Sequence, residues 1–497
     1  MLGVPATILL LSLSFYSEIP ENPEPEITRI EPRVRVIDLN AGESEIVTLC
    51  NNQEVTICLL QVHSERDPLS LAVRKSRVSV EVNGQRVELV SATYHLPTEV
   101  AGVRIDCSIT RSYNENGNPE FWNLDKDARL RIWPAGGPLL TAGTFQYPIR
   151  QQWFASDTQM ANVPVFVDGG ERPGPRRIYY HSGLDMGGSE GDVTVTAATD
   201  AWVVSVGESV LNGHQEGTPV EPRYDVVYLL DGRGWYYRYS HLQTLHPSLT
   251  VGQRIQMGDP LGQVGKEGGS GGWSHLHFEI KSRQPSNRWG TQEGYAFLWE
   301  AYVEQYRPPV LAIARPHHLV WTHDTVTHDA TRSWTKKGNI TSYEWQWTDG
   351  TTISGPKVQR TYDQPGRYSE ILKVANQNGD TDYDFAVVIV VDRKHPDRPI
   401  PTIHPTYYPT QALKPNDSIT FKVRSFNVRE GNEIWDFGDG TPKRTVQSDG
   451  NAVKLDPDGY AVTIHRYTKP GSYLVRVERS NRYGVKAMGH LHIEIGN

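Results

Sequence analysis

A mainly β, multidomain fold is predicted by three features of the 497-residue sequence. Short runs alternating apolar and polar residues, as in Val78-Ser-Val-Glu-Val82, recur from about Ile27 to Pro134. Two related Trp- and Gly-containing units fill the last third, and a single stretch, Glu293 to Tyr306, shows helical spacing of Phe297, Leu298, Tyr302 and Val303. This length suggests about three or four domains. With 37% hydrophobic residues and 13 Trp, there is apolar surface for several cores. The divisions expected are a leader-like segment and linker over 1–25, an N-terminal β-sandwich-like domain over 26–136, a central antiparallel β-sheet domain over 137–308, and two related strand-rich units over 309–395 and 396–497.

Met1 to Ser17 is apolar around Leu9-Leu-Leu11 and is followed by the polar, Pro-rich Glu18 to Glu26. This resembles a secretory h-region, although no Lys or Arg precedes it, and it is short for a membrane span. Export to the periplasm, cell surface or medium is therefore expected. No later run reaches the roughly 18 apolar residues of a spanning helix. A net charge of -8 gives no electrostatic case for nucleic acid or an anionic membrane as partner. Three cysteines, Cys50, Cys58 and Cys107, do not make a disulfide framework; they allow one pair with a thiol left over, and unpaired thiols in β-sheet are the favoured expectation.

In the first domain, strands are expected at Val34-Arg-Val-Ile37, Ile46-Val-Thr-Leu49, Val78 to Val82, Val103-Arg-Ile105 and Leu130-Arg-Ile-Trp133, with Asn83-Gly84 as a hairpin turn. No role is readable from these strands. Asn123, Asp125 and Asp127 mimic the start of a calcium loop. Ala128 replaces the required Gly, however, and Pro134 stands where a bidentate Glu belongs, so a site of that type is rejected.

The central domain follows a lead-in from Phe145 to Arg177, whose aromatic residues Trp153 and Phe154, with Tyr179 and Tyr180, are expected to pack. It then carries three His-containing motifs: His181-Ser-Gly-Leu-Asp185, Tyr239-Ser-His-Leu242 and His275-Leu-His277. Neutral imidazoles and a carboxylate are the donors a three-ligand zinc site with one open position needs, and His181, Asp185 and His277 have those types. His275 and His277 lie in a strand-like run, where residues i and i+2 point to one face. Strands at Asp225 to Leu230 and Trp235 to His241 form a hairpin with His241 at its exit. His181 and Asp185 are expected on a loop, because Gly183 and Met186-Gly-Gly188 let the chain bend.

In this order, His-x-Gly-x-Asp, Tyr-x-His-Leu and His-x-His-Phe resemble the motifs of the lysostaphin-type (LytM-type) zinc metallopeptidases, which cut peptide cross-links of peptidoglycan. The Gly-punctuated stretch Val251 to Gly265 resembles the family's segment before the last motif. Ser274 stands where the family often has Pro, and Gly191-Asp-Val-Thr-Val195 departs from the usual segment. The resemblance covers about a third of the chain, and five residues in family order are stronger than any one motif. It implies Zn2+ as cofactor, with His181, Asp185 and His277 as metal ligands and His241 and His275 as the two further active-site histidines. A three-ligand zinc lowers the pKa of its water to about 7, and histidines beside it can take or give the proton. Which of the two is the base stays open. Two alternatives also stand, a catalytically silent scaffold or regulator and a broader protease acting on Gly-rich proteins.

The first C-terminal unit reads Tyr343-Glu-Trp-Gln-Trp-Thr-Asp-Gly350 and Tyr362-Asp-Gln-Pro-Gly-Arg-Tyr368. The second reads Ile434-Trp-Asp-Phe-Gly-Asp-Gly-Thr441 and Tyr467-Thr-Lys-Pro-Gly-Ser-Tyr473. Both resemble the polycystic-kidney-disease (PKD) domain, the first less completely. The resemblance implies two immunoglobulin-like sandwiches that act as spacers or bind a polysaccharide or protein, with the Asp residues fixing turns. His317, His318, His323 and His328, near Asp324 and Asp329, match no metal-site spacing.

Overall fold

The computed structural model describes residues 28–152, 181–451 and 459–496, together with the backbone of 165–166 and 178–179. The leader-like segment, Trp153, Phe154, Tyr180 and the Tyr179 side chain lie outside the described residues. The described residues are mostly β, with 47% in strands and 5% in helices.

Two four-stranded antiparallel sheets face each other at the N-terminal end. One runs Arg35–Leu39, Ala128–Pro134, Val103–Thr110, Thr98–Val100; the other runs Ser44–Thr48, Glu54–Arg66, Val73–Val82, Gln85–Ser91. Alternation buries Val55, Ile57 and Leu59 from one sheet against Val103, Ile105 and Leu130 from the other. Each such side chain contributes roughly 1.5–3 kcal/mol. The Asn83-Gly84 turn joins Val82 to Gln85 as a two-residue hairpin. Asp125 and Asp127, the calcium-loop mimics, bind Arg288 and Arg111 instead. All three cysteines are free thiols.

The central unit is built on a sheet ordered Leu184–Gly187, His275–Arg283, Tyr236–Ser240, Val227–Asp231, Ala201–Val206, Ser209–Val210. A three-stranded sheet of Thr194–Thr196, Pro260–Val264 and Leu242–Leu245 packs with it. The helix spans Tyr295–Tyr306, two residues shorter than expected, because the Glu293 carboxylate accepts the Tyr295 N–H and so lies outside the first turn. It buries Phe297, Leu298, Ala301 and Tyr302, and Arg307 adopts a left-handed conformation before Pro308 ends it. Trp133 of the N-terminal sandwich meets Phe297 edge-on at 6.3 Å, so the two units share a core.

Both C-terminal units place a fully buried Trp, Trp345 and Trp435, at the centre of a sandwich. Their turns are the same: Asp349 accepts the Thr351 N–H and hydroxyl as Asp439 accepts those of Thr441. The Tyr368 hydroxyl donates to the Gln364 carbonyl as Tyr473 does to Lys469. The units are fused, since Gly366 and Arg367 pair in parallel with Lys486 and Ala487, forming one nine-stranded sheet. His328 bonds to the Tyr362 hydroxyl, His323 to Asp363, and Asp324 to Arg393. These side chains of the His-rich stretch are therefore committed to contacts within the first sandwich.

Candidate metal centre and catalytic site

Strand alternation builds one wall of the site. Leu276, Phe278 and Ile280 are buried in the core of the central unit, which turns His275, His277 and Glu279 to the opposite face. Asp185 sits directly beside His277 in the antiparallel register of Leu184–Gly187 with His275–Arg283. This corrects the expected loop placement. Asp185 is a strand residue, and only His181 precedes the strand. The bend between them is made at Gly183, with φ 92°, where a Cβ would meet the Phe278 carbonyl oxygen at 2.7 Å. A left-handed conformation and a backbone this close leave room for glycine alone.

Three lone-pair donors converge here. His181 Nε2 lies 2.8 Å from His277 Nδ1 and 3.1 Å from Asp185 Oδ1, and His277 Nδ1 lies 2.9 Å from the same oxygen. Among the described residues this is the one grouping of three or more His, Cys, Asp or Glu suited to a metal ion. Burial opposes charge on His181, but the Asp185 carboxylate outweighs it and raises the imidazole above its ordinary range. Burial draws His277 down to about 4. Asp185 is held well below the usual carboxylate range: burial would raise it, yet the charges of His181 and His275 prevail. A single proton cannot satisfy three converging lone pairs, whereas a cation can. Donors about 2.0–2.1 Å from a tetrahedral zinc stand roughly 3.3 Å apart, so an opening of a few tenths of an ångström accommodates the ion. The donor set fits zinc.

His275 and His241 adjoin this cluster. His275 Nε2 is 3.5 Å from Asp185 Oδ1, and its ring centroid is 4.8 Å from that of His241. His275 Nδ1 donates to the Trp273 carbonyl at 3.0 Å, and burial pulls the group down to about 3, so the neutral ring keeps its lone pair on Nε2. Trp273 also stacks on the His275 ring, at 3.9 Å and 19°. His241 Nδ1 donates to the Glu267 carbonyl at 2.6 Å, so the 3.3 Å approach of Arg223 Nη2 to that nitrogen is a contact between two donors and not a hydrogen bond. His241 has φ 67°, a left-handed conformation rare for residues other than glycine. The buried Asp225 carboxylate holds it there by accepting the His241 N–H at 2.9 Å, while Arg223 braces Asp225 through both carboxylate oxygens.

All five expected residues, His181, Asp185, His241, His275 and His277, therefore lie in one site. Residues 179–288 match the model of Peptidase family M23, and residues 306–391 and 406–489 match PKD domain models.

The chain contains an M23 peptidase domain.

Two PKD domains follow the M23 domain. Among solved structures, a variant of the catalytic domain of the prophage-encoded M23 protein EnpA from Enterococcus faecalis is similar at 21% identity. The likeness covers 27% of this chain and 92% of that one, with a TM-score of 0.18. The PKD1 domain of the Vibrio cholerae metalloprotease PrtV is similar at 27% identity, covering 16% of this chain and 93% of that one, with a TM-score of 0.14. Csd3 of Helicobacter pylori is similar at 14% identity, covering 52% and 79%, with a TM-score of 0.20.

Three neighbours of the M23 site were not expected from the sequence. Asp225 supports His241, Trp273 stacks on His275, and the Tyr113 hydroxyl of the N-terminal unit donates to the His181 carbonyl at 3.3 Å. Only Trp273, two residues from His275, left a local signal.

Proposed function

We propose that this chain is an exported zinc metalloendopeptidase that hydrolyses peptide bonds in the cross-links or stem peptides of peptidoglycan. The observation that carries the reading is the convergence of His181, Asp185 and His277 on one point beside two histidines whose Nδ1–H groups are each committed to a backbone carbonyl. In this reading His181, Asp185 and His277 hold the metal. Zinc, when bound, supplies an activated water and polarises the scissile carbonyl. His275 and His241 each present an unprotonated Nε2 when neutral, so one takes a proton while the other, once protonated, donates to the leaving amine or stabilises the developing oxyanion. The Trp273 and Glu267 carbonyls hold both rings in that tautomer. The PKD domains act as spacers or bind a polysaccharide or protein near the substrate. No helix among the described residues is long and apolar enough to cross a membrane.

Metal analysis paired with release of new amino groups from purified peptidoglycan tests this directly. One zinc per chain in wild type and in His275→Ala, with amine release from wild type alone, is the expected result. His277→Ala and Asp185→Ala are expected to lose both metal and activity. His241→Ala is expected to lose activity and keep its zinc. Absence of zinc, or zinc without amine release, would move the reading to a scaffold, and cleavage confined to Gly-rich proteins would move it to a broader protease.

A further inference from the structure

The three residues that lead into His275 are each held by the second PKD domain. Arg424 Nη1 donates to the Gly272 carbonyl at 2.6 Å, and the His404 ring meets the Trp273 ring edge-on, at 5.1 Å and 69°. The Ser274 N–H donates to the Tyr460 hydroxyl at 2.8 Å. The grip is itself fixed. Arg424 is fully buried and forked onto Asp449 at 3.0 and 2.6 Å. The Tyr460 hydroxyl lies 2.7 Å from His404 Nδ1. A phenol has one hydrogen, so it accepts from Ser274 and donates to His404. Burial lowers His404 to about 3, which keeps its Nδ1 free to accept.

The segment held in this way makes two of the contacts that orient His275, the Trp273 carbonyl on Nδ1 and the indole stacked on the ring. We propose that Tyr460, with Arg424 and His404, is a positioning residue of the peptidase, so that the second PKD domain completes the catalytic centre in addition to any spacing or binding it performs. The inference rests on the peptidase reading for its kinetic consequence, but its structural half does not. The same interface has a second anchor that does not touch Gly272–Ser274, where Lys422 reaches the Glu190 carbonyl at 2.6 Å and Asp192 at 2.7 Å. That anchor supplies the control. Misplacement of a catalytic group by about 1 Å can cost on the order of a hundredfold in rate, so loosening the Gly272–Ser274 segment should register in kcat.

The test uses the full-length chain and compares wild type, Tyr460→Phe and Lys422→Met by peptide turnover, zinc content and hydrogen exchange of the Gly272–Leu276 peptide. In Tyr460→Phe, kcat should fall on the order of tenfold with KM and zinc content unchanged, and the Ser274 amide should exchange faster. Lys422→Met should keep wild-type kcat and Ser274 protection. Unchanged kcat in Tyr460→Phe, a change confined to KM, or an equal loss in both variants would overturn the proposal. A wild-type Ser274 amide that exchanges without protection would overturn it too, even if the variant failed to fold. If wild type releases no amines at all, the peptidase reading fails, while the exchange data still decide whether the PKD domain holds the segment.

Discussion

At the scale of single residues, His241 is held in an unfavourable conformation by a buried carboxylate. A left-handed conformation at a residue other than glycine costs on the order of 1–3 kcal/mol and persists only where its surroundings over-determine it. Asp225 does this through the His241 N–H, and the Glu267 carbonyl fixes the ring. Asp225→Ala is therefore expected to lower kcat about 10–100-fold, the range seen when groups supporting a site are removed. Zinc content should be unchanged, because His241 is not in the donor cluster. Turnover measured beside metal analysis checks this. The residue types at the candidate site were legible because the zinc chemistry proposed for it needs neutral imidazoles and a carboxylate, and these stand in ordered motifs. Asp225 was not legible. It lies 16 residues before His241 in no recognisable motif, and only the hairpin fold brings it back.

At the scale of elements, the period of two along His275–Arg283 decides the site. It sends Leu276 and Phe278 into the core, so His275 and His277 must face the other way. That much follows from the sequence. The strand character of Asp185 does not, because Gly183 and Gly187-Gly188 surround it and imitate a loop, while its pairing with His277 is a contact 92 residues apart. A neighbouring crossing is equally tight. At Gly265 an added Cβ would lie 2.3 Å from the Gln243 nitrogen and 2.7 Å from the His241 carbonyl oxygen. Backbone cannot yield there without moving His241. Gly265→Ala is expected to destabilise the chain by about 1–3 kcal/mol and to lower activity together with stability. Urea denaturation and turnover on the same preparation check both.

At the scale of the whole molecule, the sandwiches carry buried neutral histidines that make stability depend on pH. Burial draws His328, His404 and His490 each to about 3, well below an unfolded imidazole. Between pH 6.5 and about 3 the unfolded chain binds more protons than the folded one, so stability is fully present above about 6.5 and is lost as pH falls. His490→Phe keeps a ring beside Phe385, which stacks on His490 at 5.6 Å, and removes one titrating group. The slope of unfolding free energy against pH between 6 and 4 should become shallower by up to one proton, about 1.4 kcal/mol per pH unit. Denaturant titrations across that range check it. The parallel pairing of Gly366 and Arg367 with Lys486 and Ala487 also ties the two PKD sandwiches into one sheet.

The β class, the repeated sandwich with its Asp-fixed turns, the motifs that carry the five candidate residues, and the shared face of His275 and His277 can all be read from the amino-acid sequence. Each of these depends on residue type and short-range period, which are written locally. Three features emerge from the fold alone: Asp185 is a strand residue beside His277, Asp225 constrains His241, and Tyr460 holds Ser274 across 186 residues of chain. Those contacts join segments whose local patterns are ordinary, and they form only when separate hydrophobic cores dock and bring buried polar groups within hydrogen-bonding reach.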